Sequence, residues 1–77
     1  MTESQKEMLM EELMEAYGCE NIEEFLAEYG YDACVPGICT NPGCGYTTEY
    51  EPDQDAGWCD NCGENSVVSG LVLLEII

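Results

Sequence analysis

Apolar positions in the first part of the chain recur with helical spacing, whereas in the second part they fall into short runs broken by Pro and Gly. Met10, Leu13, Met14 and Tyr17 stand at i, i+3, i+4 and i+7, on one face of a helix, and Gly18 supplies a stop. Thr2 and Gln5 make a capping-box pattern ahead of that stripe. A second box, Asn21 with Glu24, precedes Ile22, Phe25, Leu26 and Tyr29, which repeat the spacing until Gly30. Residues 1–32 are therefore expected to form two helices paired as a hairpin. Glu7, Glu11 and Glu15 sit four apart on another face of the first helix, so like charges adjoin and one carboxylate lies near the negative end of the helix dipole. Such a helix needs docking to persist. Met8, Met10 and Met14 suit either gap-filling in a core or an adaptable docking surface.

From Cys34 the texture changes. VPGICTNPGCG reads as turns, Tyr46 to Tyr50 as a β-prone run, and EPDQDAG as a turn into a return strand ending at Trp58 and Cys59. Val67, Val68, Leu71, Val72, Leu73 and Leu74 predict a third strand, bent or bulged at Ser69 and Gly70. No repeat or low-complexity linker divides the chain, so residues 1–77 read as a single domain, helical over 1–32 and stranded over 33–77, with a shared core. A chain of 77 residues is near the size at which a core alone is marginal and a metal or disulfide staple is commonly added.

The cysteines can supply that staple. Cys39 and Cys44 in CTNPGC, and Cys59 and Cys62 in CDNC, each span a tight turn, so the sulfurs of each pair can converge on one ion. Gly45 and Gly63, directly after the second cysteine of each pair, let the backbone turn sharply behind the ligand. The expectation is one Zn²⁺ per chain held by four thiolates, a closed site that leaves no open position for substrate. Disulfides or buried free thiols are the competing reading. Met1 is followed by TESQKE, with no apolar h-region, so no export signal is expected and a reducing, cytoplasmic setting is favoured. Cys19 and Cys34 are left over, as small buried hydrophobes or, for Cys34, as a rival to Cys39.

CTNPGCGY and CDNCG together resemble the two knuckles of the zinc-ribbon family over residues 36–76. The resemblance implies a small, metal-stapled α+β domain in which the helical hairpin packs on a three-stranded antiparallel sheet with a tetrahedral zinc at its tip. The first knuckle, with four residues between its cysteines, is wider than the common two-residue form. The stretch from Val35 onward also resembles a group of short bacterial and phage proteins, a likeness that implies no activity. CGY and CDNCG are similar to rubredoxin as well, which implies an iron electron carrier as the alternative, although the short interval between the pairs suits a ribbon better. WCDNC, Trp58 to Cys62, is superficially similar to the thioredoxin redox motif. That reactivity needs the first cysteine at a helix N-terminus, and Gly63 to Val68 reads instead as a turn into a strand. There is no histidine, and no carboxylate spacing picks out an acid and base pair, so no catalytic residue is expected.

Charge narrows the partners. Seventeen Asp and Glu stand against one basic residue, Lys6, for a formal net charge of -16. Nucleic acid is disfavoured because phosphate binding requires Lys or Arg, and a helix-turn-helix reading of the hairpin would press Glu23, Glu24 and Glu28 against phosphates. Anionic membranes are disfavoured on the same ground, and Val67 to Ile77 falls short of the ~20 residues of a membrane span. The acid serves either to solvate the surface or to attract a basic protein, whose nucleic-acid-binding groove this chain would fill by imitating phosphate charge. The apolar C-terminal stretch from Val67 also suggests strand addition to a partner or to a second copy, giving a homodimer.

Overall fold

The computed structural model describes residues 2–30 and 33–76; Met1, Tyr31, Asp32 and Ile77, at the ends of the predicted hairpin and ribbon, lie outside them. Helix α1 (Glu3–Ala16) begins in the expected capping box: the Thr2 hydroxyl accepts from the Gln5 amide at 3.2 Å, and the Gln5 side chain accepts from the Thr2 amide at 2.9 Å. Its end is a Schellman turn, in which the Cys19 amide reaches back to the Met14 carbonyl at 2.8 Å while Gly18 takes φ +73. Helix α2 (Ile22–Tyr29) is capped by Asn21, whose side chain accepts from the Glu24 amide at 2.8 Å. The reciprocal bond of the predicted box is displaced by one residue: the Glu24 carboxylate accepts from Glu20, not from Asn21, at 3.3 Å.

The sheet has four strands, not the predicted three: β1 (Val35–Cys39), β2 (Thr47–Tyr50), β3 (Gly57–Cys59) and β4 (Glu64–Ser69). Their order is β2-β1-β4-β3 with every neighbouring pair antiparallel, and the sheet is curled. β1 is the unforeseen strand, central and buried at all five positions, because Pro36 and Gly37 read as turn residues. Pro36 is tolerated there by register. β1 pairs with β4 only from Gly37 to Cys39, so Pro36 lies beyond the point where β4 leaves the sheet, and its missing N–H interrupts no β4 pairing.

The predicted hairpin between Tyr46–Tyr50 and the strand ending at Cys59 does not form either. β2 pairs with β1 and β3 with β4, which puts β2 and β3 on opposite edges of the sheet. Its curl brings those edges back together, and the Tyr50 hydroxyl donates to the Trp58 carbonyl. The C-terminal apolar run also departs from the predicted strand. The strand ends at Ser69, whose hydroxyl donates to the Pro52 carbonyl at 2.5 Å and accepts from the Val72 amide at 3.3 Å, so it caps a single helical turn, α3 (Gly70–Leu73).

α3 explains why the first two helices do not pair lengthwise as a hairpin. α1 packs chiefly on α3 and β1. It meets α2 at its end, through an edge-to-face contact of Tyr17 with Tyr29 at 5.9 Å between ring centroids. Gly70 sits where the three helices converge, since a Cβ there would lie 2.5 Å from Phe25 Cζ and 3.2 Å from Leu13 Cδ2. Met10, Leu13, Phe25, Val35, Ile38, Val68, Leu71 and Leu73 make the main core between helices and sheet. Ile38 and Val68 are cross-strand partners facing that core, whereas the next pair, Cys39 and Val67, belongs to a second cluster with Cys59. The alternation of side chains along β1 and β4 thus assigns one face to the helices and the other to the cysteines.

Candidate metal centre

Each cysteine pair occupies the turn of its own hairpin. Cys39 closes β1 and Cys44 lies in the turn toward β2, while Cys59 closes β3 and Cys62 lies in the turn into β4. In the first knuckle the Asn41 amide points at Cys39 Sγ at 3.5 Å, the Cys44 amide donates to the Asn41 carbonyl at 3.2 Å, and the Cys39 amide closes the loop onto the Tyr46 carbonyl at 2.9 Å. In the second the Cys62 amide donates to Cys59 Sγ at 3.3 Å and the Gly63 amide to the Cys59 carbonyl at 2.8 Å. Gly45 at φ +67 and Gly63 at φ +71 take the left-handed conformation at equivalent places behind the two knuckles, as their position in the sequence led one to expect.

Pairing of β1 with β4 then brings the two turns together. Thr40 reinforces that register with two bonds to the Ser66 carbonyl, from its amide at 2.8 Å and its hydroxyl at 2.9 Å, and Asn41 Nδ2 reaches Glu64 Oε1 at 3.2 Å. All four sulfurs lie within 4.8 Å of one another. Cys39 and Cys62 are separated by 3.8 Å, Cys44 and Cys59 by 3.6 Å, and Cys44 and Cys62 by 3.1 Å. A regular tetrahedron of thiolates at a Zn–S distance of ~2.3 Å has an edge of ~3.8 Å, so the four positions fit such an ion with small adjustments. The donor set fits as well, being soft sulfur throughout. These four cysteines could hold a metal ion.

Residues that were not singled out from the sequence complete the surroundings. Ser66 Oγ lies 3.1 Å from Cys39 Sγ, and Asn61 Nδ2 donates to Cys44 Sγ at 3.3 Å. Such donors stabilise thiolate and orient it. Asn61 lies between the two ligands of CDNC and was open to inference; Ser66 arrives through the β4 register, for which the sequence carries no local signal. The Tyr46 hydroxyl donates to Asp60 Oδ2 at 3.1 Å, tying the two hairpins across the outside. Cys39 and Cys59 are buried, Cys44 and Cys62 half-buried.

Hydrogen bonding from Asn61, aided by Cys62 and the Tyr46 backbone, brings the Cys44 thiol down to about 6. At Cys62 the Asn41 side chain acts in the same direction, but Cys44, burial, Cys39 and Cys59 outweigh it and push the thiol up to about 12. Burial raises Cys59. Cys34 is exposed and stands outside the four-sulfur group, so it does not replace Cys39. Cys19 is half-buried, and burial followed by the charges of Glu24 and Glu28 raises its thiol. Among the described residues, no helix is long and apolar enough to cross a membrane. Comparison of the chain with family models, with curated proteins and with solved structures finds no match.

Proposed function

We propose that this protein is a non-catalytic interaction or regulatory module, a zinc-stapled ribbon whose acidic surface docks on a basic protein and occupies a groove that otherwise takes nucleic acid. The observation that carries this reading is the charge: seventeen acidic residues against one basic residue, and that one, Lys6, ion-paired with Glu75. A basic partner approaching the chain meets almost no cation. A tetrathiolate site around Zn²⁺ adds two further net negative charges at the hairpin tips, and its four protein ligands leave no position for a substrate. Zn²⁺ is preferred to iron because the ion's task here is to hold two turns together, which requires no change of oxidation state. Bound zinc supplies folding free energy and charge, while Asn41, Asn61 and Ser66 orient the sulfurs around it.

Affinity purification of the tagged chain from its native cell, at low and at high ionic strength, tests the docking. Basic proteins that are recovered at low salt and released at high salt are expected, with competition by added nucleic acid. Recovery of no basic partner at low ionic strength would overturn the reading. Metal analysis of protein purified under reducing conditions is expected to give one zinc per colourless chain. A red protein with visible charge-transfer absorbance would instead identify the rubredoxin-like electron carrier.

A further inference from the structure

Two grooves flank α1. One lies toward the first knuckle and includes Met8, Cys39 and Pro42, with a single carboxylate, Glu12. The other, of about 370 Å³, runs along the opposite flank between α1, the start of α2 and the C-terminal turn. Its walls are built from Met10, Met14, Ile22, Leu73 and Leu74, and its margin carries Glu3, Glu7 and Glu11 beside Lys6, whose charge is taken up by its ion pair with Glu75. Ile22, at an apolar position of α2's helical stripe, is 44% exposed here, where no other part of the described chain covers it.

We propose that this second groove is the docking site for a cationic amphipathic helix of a partner protein, a reading that rests on the basic partner proposed above. The apolar face of that helix lies on Met14, Ile22 and Leu74, and its Lys or Arg residues face Glu3, Glu7 and Glu11. The charge on the margin selects the occupant. An uncharged apolar helix would desolvate these carboxylates without pairing them, an acidic segment or nucleic acid would be repelled, and a second copy of this chain brings no free cationic side chain among its described residues. Glu3, Glu7 and Glu11 advance by one helical turn each, ~6 Å, which is the repeat of Lys or Arg spaced four apart on a helix laid alongside α1. From Glu3 to Met14 the groove follows ~16 Å of α1, room for about three turns. Methionines suit the floor, because an unbranched thioether adapts to whichever apolar side chains arrive. The self-repelling acidic stripe of α1, unaccounted for by the fold, thereby gains a complement.

The test uses the full, zinc-loaded chain and a synthetic peptide of about 14 residues with Leu on one helical face and Lys on the other, beside a peptide of the same composition in scrambled order. Amide chemical shifts map the contact, and titration gives the affinity. Ile22→Lys and Met8→Lys add the same charge at exposed positions on opposite flanks of α1, so neither threatens the core. Shifts centred on Met14, Ile22 and Leu74 are expected, with Ile22→Lys weakening binding by about tenfold or more and Met8→Lys by less than about twofold. Equal losses in the two variants, equal binding of the scrambled peptide, or shifts centred on Met8 and Pro42 would overturn the proposal. A native basic partner retained undiminished by Ile22→Lys would also overturn it while leaving the proposed function standing, whereas absence of any basic partner would remove both.

Discussion

At 3.1 Å the sulfurs of Cys44 and Cys62 are too close to carry two charges comfortably without a cation between them, and the difference in their environments decides which holds the proton. Asn61 donates to Cys44 and lowers it to about 6, while Cys62 is held up at about 12. Because the folded-state value of Cys44 is depressed from 9.0, its thiolate stabilises the metal-free fold above that ordinary value, and the contribution is lost as pH falls through about 6. Cys62 has the opposite sign: its thiol form contributes below 9.0 and the contribution is lost as pH rises through about 12. In the reduced chain just stripped of metal, before the sheet opens, a limiting amount of iodoacetamide at neutral pH is expected to label Cys44 ahead of the other three cluster cysteines, with a rate that falls as pH drops below about 6. Peptide mapping by mass spectrometry reads the order, and preferential labelling of Cys59 would contradict it. Replacing Asn61 with Ala should move the midpoint of Cys44 labelling upward.

At the scale of elements, Gly70 governs how α1, α2 and α3 meet. A Cβ there would intrude to 2.5 Å from the Phe25 ring, in a region where Leu13 and Phe25 are fully buried and cannot retreat into solvent. Gly70→Ala is therefore expected to destabilise the chain by about 1–3 kcal/mol, the usual cost of overpacking, as a lower midpoint in denaturant with metal content unchanged. An unchanged midpoint would show that the three helices have slack. The elements legible in the sequence are those whose signals are local. Thr2 with Gln5 and Gly18 mark both ends of α1, and CTNPGC and CDNC mark the two turns, because a cap or knuckle is settled by residues within one turn of each other. The elements that were missed depend on distant partners. β1 is a strand despite Pro36 because β4 stops short of it, and the C-terminal apolar run becomes a helical turn because Ser69 bonds to Pro52, seventeen positions away. The pairing of β1 with β4 was hidden for the same reason, since Thr47–Tyr50 and Gly57–Cys59 are neighbours in sequence and looked like each other's natural partners.

For the whole molecule, an interior cluster of four thiols and a surface of nearly uniform sign act in opposite senses. The first could hold the sheet firmly closed once a bound metal neutralises it, and the second pushes the chain apart. Cys59→Ser is expected to abolish stable metal binding and unfold at least the sheet, since such sites supply ~10 kcal/mol of folding free energy. Circular dichroism and metal analysis check this, and a Cys59→Ser chain with native melting would contradict it. The net charge of -16 predicts that added salt raises the melting temperature of the metal-loaded protein. Screening shortens the reach of repulsion to ~10 Å at 0.1 M and to ~3 Å at 1 M, and the loss of one Lys6–Glu75 pair is small beside it. A melting temperature that falls between about 0.05 and 0.5 M sodium chloride would show that ion pairing, not self-repulsion, dominates the surface.

Placing both sulfurs of a pair in one hairpin turn, with the two hairpins joined in the sheet through β1 and β4 and tied outside it by Tyr46 to Asp60 and Tyr50 to Trp58, makes the site a clasp with two jaws. An ion held there is surrendered to a competing chelator one jaw at a time. Parting of the seam between the hairpins exposes it while two sulfurs still keep hold, so exchange follows the opening rate of the sheet, and whatever strengthens that seam lengthens the ion's residence.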